Sequence, residues 1–145
     1  YAVATEVIAR VRDRVANLAG IKCSESPFER VAPYLALGLP VYIGNEPMLP
    51  RALAQGAIGT VSGFAAALPD VVRGAVDAPD ADAEQRLVEV RGAMERQPFI
   101  ASVKHVLRRR GVPIEPAVRA PQRWLTDEEA QRLDEALELL IPGVT

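Results

Sequence analysis

LAGIKCSES, residues 18–26, sets one of only two lysines at the end of a short apolar run, in a chain whose other cations are fifteen arginines. A guanidinium stays protonated in proteins, whereas an ammonium can give up its proton when water is withdrawn from it. Lys22 is therefore the position where an amine nucleophile is to be sought. The run LAGIKC itself reads as a short buried strand, closed by the polar Ser24-Glu25-Ser26.

Outward from this stretch the elements alternate. Before it, Val7, Ile8, Val11 and Val15 recur at helical spacing among charges, which predicts an amphipathic helix over 4–17. After it, Ser26 and Pro27 read as an N-cap and a first-turn proline, opening a helix through Phe28, Val31, Tyr34 and Leu35 that stops at Gly38. LPVYIG (39–44) is a second strand. NEPMLPRALAQG (45–56) is a short helix with Pro50 in its first turns, AIGTVSG (57–63) a third strand, and AALPDVVRGAV (66–76) a further helix. Strands joined by connections too long for hairpins imply right-handed βαβ units and a parallel sheet.

Beyond Val76 the pattern changes. DAPDADAE is an acidic, alanine-rich join, followed by helices expected over 81–96 and 99–110, the second stopped by Gly111 and Pro113. A last helix is expected to open at Thr126-Asp-Glu-Glu129, a capping box in which threonine and glutamate satisfy each other's orphan amides. The α/β part thus has three strands, whose edges would stand open in isolation. With a chain that begins at Tyr1 and not at methionine, this suggests the C-terminal half of a larger barrel or sheet carrying a helical appendage.

Composition sets the outer limits. The 145 residues are 49% hydrophobic and 25% charged, enough for a sizeable core in a soluble globular unit. No run reaches the roughly 20 apolar residues of a membrane span, and no leader pattern opens the chain. The expected compartment is the cytoplasm. A single cysteine builds no disulfide framework, and a formal charge of -2 offers no field for nucleic acid. Neither a metal nor a nucleotide-cofactor motif is present, so no cofactor is expected.

The ordered set Gly20-Ile21-Lys22, then Gly44-Asn45-Glu46 at the end of a strand, then Gly56-Ala57-Ile58-Gly59-Thr60-Val61-Ser62, resembles the last three strands of the dihydrodipicolinate synthase/N-acetylneuraminate lyase family. SVKHVLRRRG (102–111) and VRAPQRWLTDEE (118–129) are similar to that family's closing helices, so the resemblance covers essentially the whole chain. It implies an α/β fold in which residues 1–77 form the C-terminal part of a (β/α)8 TIM barrel, from about strand 6 onward, and residues 78–145 a C-terminal helical region. It implies a class I aldolase or lyase in which Lys22 forms a Schiff base with pyruvate or a related 2-keto acid. The backbone carbonyl of Val61 would lie near that lysine, while Gly44, Asn45, Glu46, Ser62 and Gly63 would line the mouth where an aldehyde sits, at the C-terminal ends of the strands. The partners implied are a keto acid, an aldehyde, further copies in a homotetramer, and an upstream half-barrel that carries the family's catalytic tyrosine. Tyr1 is too close to Lys22 to be that tyrosine.

Departures from the family pattern concern the substrate. Cys23-Ser24-Glu25-Ser26-Pro27 replaces a Ser-Gly-Asp-like turn, and Phe64-Ala65-Ala66 stands where many dihydrodipicolinate synthases carry Thr-Ala-Asn. Synthase, sialic-acid lyase, sugar-acid aldolase and dehydratase stay open, with a dihydrodipicolinate synthase-like activity as the leading expectation. Two other classes also stay open: a barrel that binds a keto acid without turnover, as a sensor or structural subunit, and a self-standing helical interaction module.

Several residues have plainer readings. Lys22 alone could be a strand-end salt-bridge residue, and Asn45 and Glu46 could simply cap the next helix. Lys104 reads as solvated, His105 as a surface or interface residue, and Cys23 as a small buried filler. Arg108 to Arg110 could suggest an anion site, but cations in the last turn of a helix complement its dipole, which is explanation enough. Trp124, the only tryptophan, is expected to dock the last helix.

Overall fold

The computed structural model describes residues 2–143; Tyr1 lies outside them. Three parallel strands form in the expected places: β1 (Ile21–Cys23), β2 (Val41–Ile43) and β3 (Gly59–Thr60), in the order β1-β2-β3. Each is shorter than its apolar run, but the ladder continues past the strand ends. The Ile21 N–H donates to the Pro40 carbonyl, Gly44 to Cys23, Ile58 to Val41, and Val61 to Ile43, all between 2.7 and 3.0 Å. The register pairs Lys22 with Tyr42 and Tyr42 with Gly59.

Helix α1 (Thr5–Arg12) ends earlier than its valine spacing suggests. Its last residue turns away to the neighbouring connection, where the Arg12 guanidinium donates to the Leu37 carbonyl. Helix α2 (Phe28–Leu35) starts after Pro27, which takes the N-cap position in place of the expected Ser26. Pro33 lies inside α2, where its missing N–H removes a ladder bond, and the helix ends at Leu35. Gly38 then turns the chain at φ +69°, a conformation glycine adopts without steric cost. A 3-10 turn over Glu46–Met48 leads into α3 (Leu49–Leu53), with Pro50 in its first turn as expected.

The helix expected over 66–76 is two: α4 (Gly63–Ala67) and α5 (Pro69–Asp77). Proline at the start of α5 explains the break, because its fixed φ suits a first helical position and its ring disfavours helix in the residue before it. Then come α6 (Ala81–Glu95), α7 (Phe99–Arg109) and α8 (Asp127–Leu140). The capping box is formed as expected: the Glu129 N–H donates to the Thr126 hydroxyl at 3.2 Å, and the Thr126 N–H to the Glu129 carboxylate at 2.9 Å.

The described chain clusters into two compact units. The first runs to Ser62 and takes in Gly74–Glu84; the second holds Gly63–Arg73 and the chain from Gln85 onward. In the first, Phe28 and Val31 of α2, Val41 and Ile43 of β2, and Leu49 and Ala52 of α3 are buried. In the second, α7 contacts both α4 and α8, with Phe64, Met94, Val106, Leu133 and Leu137 among the buried side chains.

Candidate functional site

Alternation along β1 puts Lys22 on one face of the sheet and Ile21 and Cys23 on the other. Register extends that division across the sheet. The rear face carries Cys23, Val41 and Ile43, which are 4%, 1% and 0% exposed. The front face carries Lys22, Tyr42 and Gly59 in one row and Ser24, Gly44 and Val61 in the next, toward the C-terminal ends of the strands. Lys22, Ser24, Tyr42 and Val61 are exposed. A parallel sheet normally has both faces covered, so an open front face bearing a lysine, a tyrosine ring and a valine is the anomaly of this unit.

Close approach on that face centres on Gly44. A Cβ there would overlap the Ser24 hydroxyl and stand 2.7 Å from Cε of Lys22, so only glycine lets these side chains run past the end of β2. Ser24 is the residue that motif reading passed over. The signal for it was available in the period of two, since a serine two places after a lysine on a strand shares its face. Tyr42 packs its ring over Gly59, where a Cβ would meet it at 3.7 Å.

The remaining candidates are distributed unevenly. Asn45 is half-buried at the N-cap of the 3-10 turn, and Asn45 makes no side-chain capping bond. Glu46, the first residue of that turn, is 1% exposed. Val61 extends the ladder through its N–H to Ile43, and the residue is 50% exposed. Ser62 ends the first stretch of the first unit. Gly63 opens α4 in the second, where a Cβ would meet the Phe99 ring at 3.4 Å. Next to Lys22, Cys23 behaves as the expected filler: burial pushes its thiol up, favouring the neutral form over a reactive thiolate.

The second unit revises two plainer readings. Lys104 is not merely solvated, for its ammonium donates to the carbonyls of Glu115 and Ala117 and ties down the extended segment after α7. The arginine triplet divides: the Arg110 guanidinium bonds the Asp70 carboxylate at 2.6 Å, and Arg109 lies 3.7 Å from Asp134. His105 makes an interhelical contact to Asp134 of α8 at 2.8 Å.

An α/β unit with a lysine on the open face of a parallel sheet defines the class, and comparison with known proteins narrows it. The chain belongs to the Dihydrodipicolinate synthetase family, whose profile matches residues 2–140. Two curated relatives, both uncharacterized DapA-like lyases of Halobacterium salinarum, are 30% identical over 131 residues; the match covers 81% of this chain and 41% of theirs. The dihydrodipicolinate synthase of Agrobacterium tumefaciens superposes with a TM-score of 0.82 at 25% identity, over 97% of this chain and 50% of that one. A prophage protein of the dihydrodipicolinic acid synthase family from E. coli K12, solved in complex with pyruvate, gives 0.84 at 19% identity, over 94% and 51%. The chain therefore spans about half the length of the relatives it matches.

Proposed function

We propose that this chain is the C-terminal part of a (β/α)8 barrel enzyme, with residues 1–77 supplying the last three strands and 78–145 a helical region, and that the whole protein is a Schiff-base aldolase or lyase acting on pyruvate or a related 2-keto acid in the cytoplasm. The observation that carries the reading is Lys22 with Ser24 and Gly44 beside it on the uncovered face of a parallel sheet. In a closed barrel that face is the lumen. The other barrel strands would cover it and withdraw water from the amine that is to act as nucleophile. A homotetramer is the assembly the family resemblance implies.

The chemistry follows from the amine. Lys22 Nζ attacks the keto carbon; the carbinolamine loses water to give an iminium, with Nζ now bonded to carbon. Loss of a proton from the adjacent methyl leaves an enamine whose carbon adds to an aldehyde carbonyl, the aldehyde oxygen taking up a proton. Water then hydrolyses the product iminium and returns the free lysine. The reverse order cleaves an aldol. Ser24, Gly44 and Asn45 stand at the strand ends where the keto acid and aldehyde would meet, and the Val61 carbonyl is assigned the place beside the lysine.

Borohydride reduction of the full-length protein with pyruvate, followed by peptide mass spectrometry, tests this. A reduced pyruvyl adduct on Lys22 supports the covalent mechanism and leaves only the acceptor aldehyde to be screened. An unmodified Lys22 in a folded, full-length protein sinks it in favour of a keto-acid-binding barrel without turnover.

A further inference from the structure

Where α7 ends and α8 begins, a cavity of 470 Å³ opens between His105, Arg108, Arg109, Trp124, Asp127 and Ala130. Its size falls within the range of about 300–1,000 Å³ usual for small-molecule sites. All six residues belong to the second unit, whereas the strand that carries Lys22 belongs to the first. The cations are not equivalent. His105 is anchored through Nε2 to Asp134 at 2.8 Å, and Arg109 shares the same carboxylate oxygen at 3.7 Å. The Arg108 guanidinium forms no ion pair or hydrogen bond with a described residue, and Arg108 is exposed. Its planar fork is thus available for a bidentate anion. The helix dipole accounts for cations in the last turn of α7, but it does not account for an indole brought to the same cavity from the segment before α8.

We propose that this cavity binds a nucleoside monophosphate or a close chemical equivalent: a flat ring against Trp124, a phosphate on Arg108 with support from Arg109, and a hydroxyl-bearing linker facing the Asp127 carboxylate. The indole offers a stacking surface, the free guanidinium a charge-assisted double hydrogen bond, and Asp127 an acceptor for hydroxyl donors. Asp134 holds His105 and Arg109 in place from behind. The site is independent of the imine chemistry proposed for Lys22.

Trp124 is the chain's only tryptophan, which makes its fluorescence a local probe. The full-length protein is titrated with AMP, with adenosine and inorganic phosphate as separate arms, at low and raised salt. The expected result is a saturable fluorescence change with AMP that weakens with salt, at least about tenfold weaker binding by either half-ligand, and a similar loss in Arg108→Gln with the melting temperature unchanged. No saturable change with AMP overturns the proposal. So does an Arg108→Gln variant that binds AMP as tightly as the parent, or phosphate or adenosine alone binding as well as AMP.

Discussion

Gly44 and Lys22 meet across the β1–β2 ladder with no room for a methyl group between them: a Cβ at 44 would stand 2.7 Å from Lys22 Cε. The lysine's path off the strand is therefore set by an absent side chain. Gly44→Ala must push aside Cε or the Ser24 hydroxyl, which displaces Nζ from any position the fold has fixed for it. On the proposed chemistry, a misplacement of this order costs roughly a hundredfold in turnover. Borohydride trapping by Gly44→Ala should slow to match while far-UV circular dichroism stays unchanged; full-rate trapping in this variant would remove Gly44 from the site.

Ser24 shares the lysine's face, and its hydroxyl is the polar group that Gly44 leaves uncovered. Ser24→Ala removes one neutral hydrogen-bonding group, worth about 0.5–1.5 kcal/mol where a partner is engaged, or a few-fold to about tenfold. If the hydroxyl holds the keto acid, KM for the keto acid rises by that factor, kcat changes less, and the adduct on Lys22 still forms. Unchanged KM together with unchanged kcat would make Ser24 a bystander.

Much of this was legible in the sequence, for identifiable reasons. LAGIKC, LPVYIG and AIGTVSG each announce a strand because both ends are marked by glycine or a polar turn, and the capping box at Thr126 and Glu129 is a local motif that needs no tertiary context. Strand and helix ends were less legible because they depend on distant partners. Helix α1 stops where Arg12 finds the Leu37 carbonyl, 25 residues on, and no periodicity encodes that contact. Lys22 stood out by being one of two lysines among fifteen arginines. Ser24 did not stand out, because its relevance lies in the register that sets Gly44 beside it. The division of Arg108 to Arg110 among Asp70, Asp134 and an open cavity is likewise a matter of helix azimuth, invisible in a run of three identical residues.

Arg110 joins the end of α7 to the start of α5, donating to Asp70 at 2.6 Å and to the Ala67 carbonyl at 3.2 Å. Burial pushes the Asp70 carboxyl up, but Arg110 and the N–H groups of its own turn outweigh that and hold it below 3.8. A depressed carboxylate stabilises the fold above its unfolded pKa and loses that contribution as pH falls. Because the pair is partly exposed, Arg110→Met should cost no more than about 1 kcal/mol near neutral pH. The deficit, read from urea midpoints, should shrink below about pH 4 as Asp70 protonates. In an Asp70→Asn background Arg110→Met should cost measurably less; equal costs in both backgrounds would mean that Arg110 acts only through packing.

Glu129 combines two roles at the start of α8. It accepts the Thr126 N–H to close the capping box, and it receives both terminal nitrogens of Arg123 at 2.7 Å. The Arg123 guanidinium first, and the Thr126 amide second, hold its carboxyl at about 2, below the ordinary 4.5. With the folded value depressed, the stabilisation is complete above about pH 4.5 and drains away between there and about pH 2. Glu129→Gln keeps an amide oxygen for the cap and removes the charge, so it should melt lower than the parent at neutral pH and converge with it near pH 2. Thr126→Ala removes the hydroxyl that caps the Glu129 amide. Its cost should be about 1 kcal/mol, or roughly 3 °C in Tm, and that loss of the hydroxyl cap should persist at acid pH. Melting curves of both variants across this range separate the charge from the cap. A Glu129→Gln deficit that is the same at pH 7 and pH 2 would show that the Arg123 pair adds nothing the cap does not already supply.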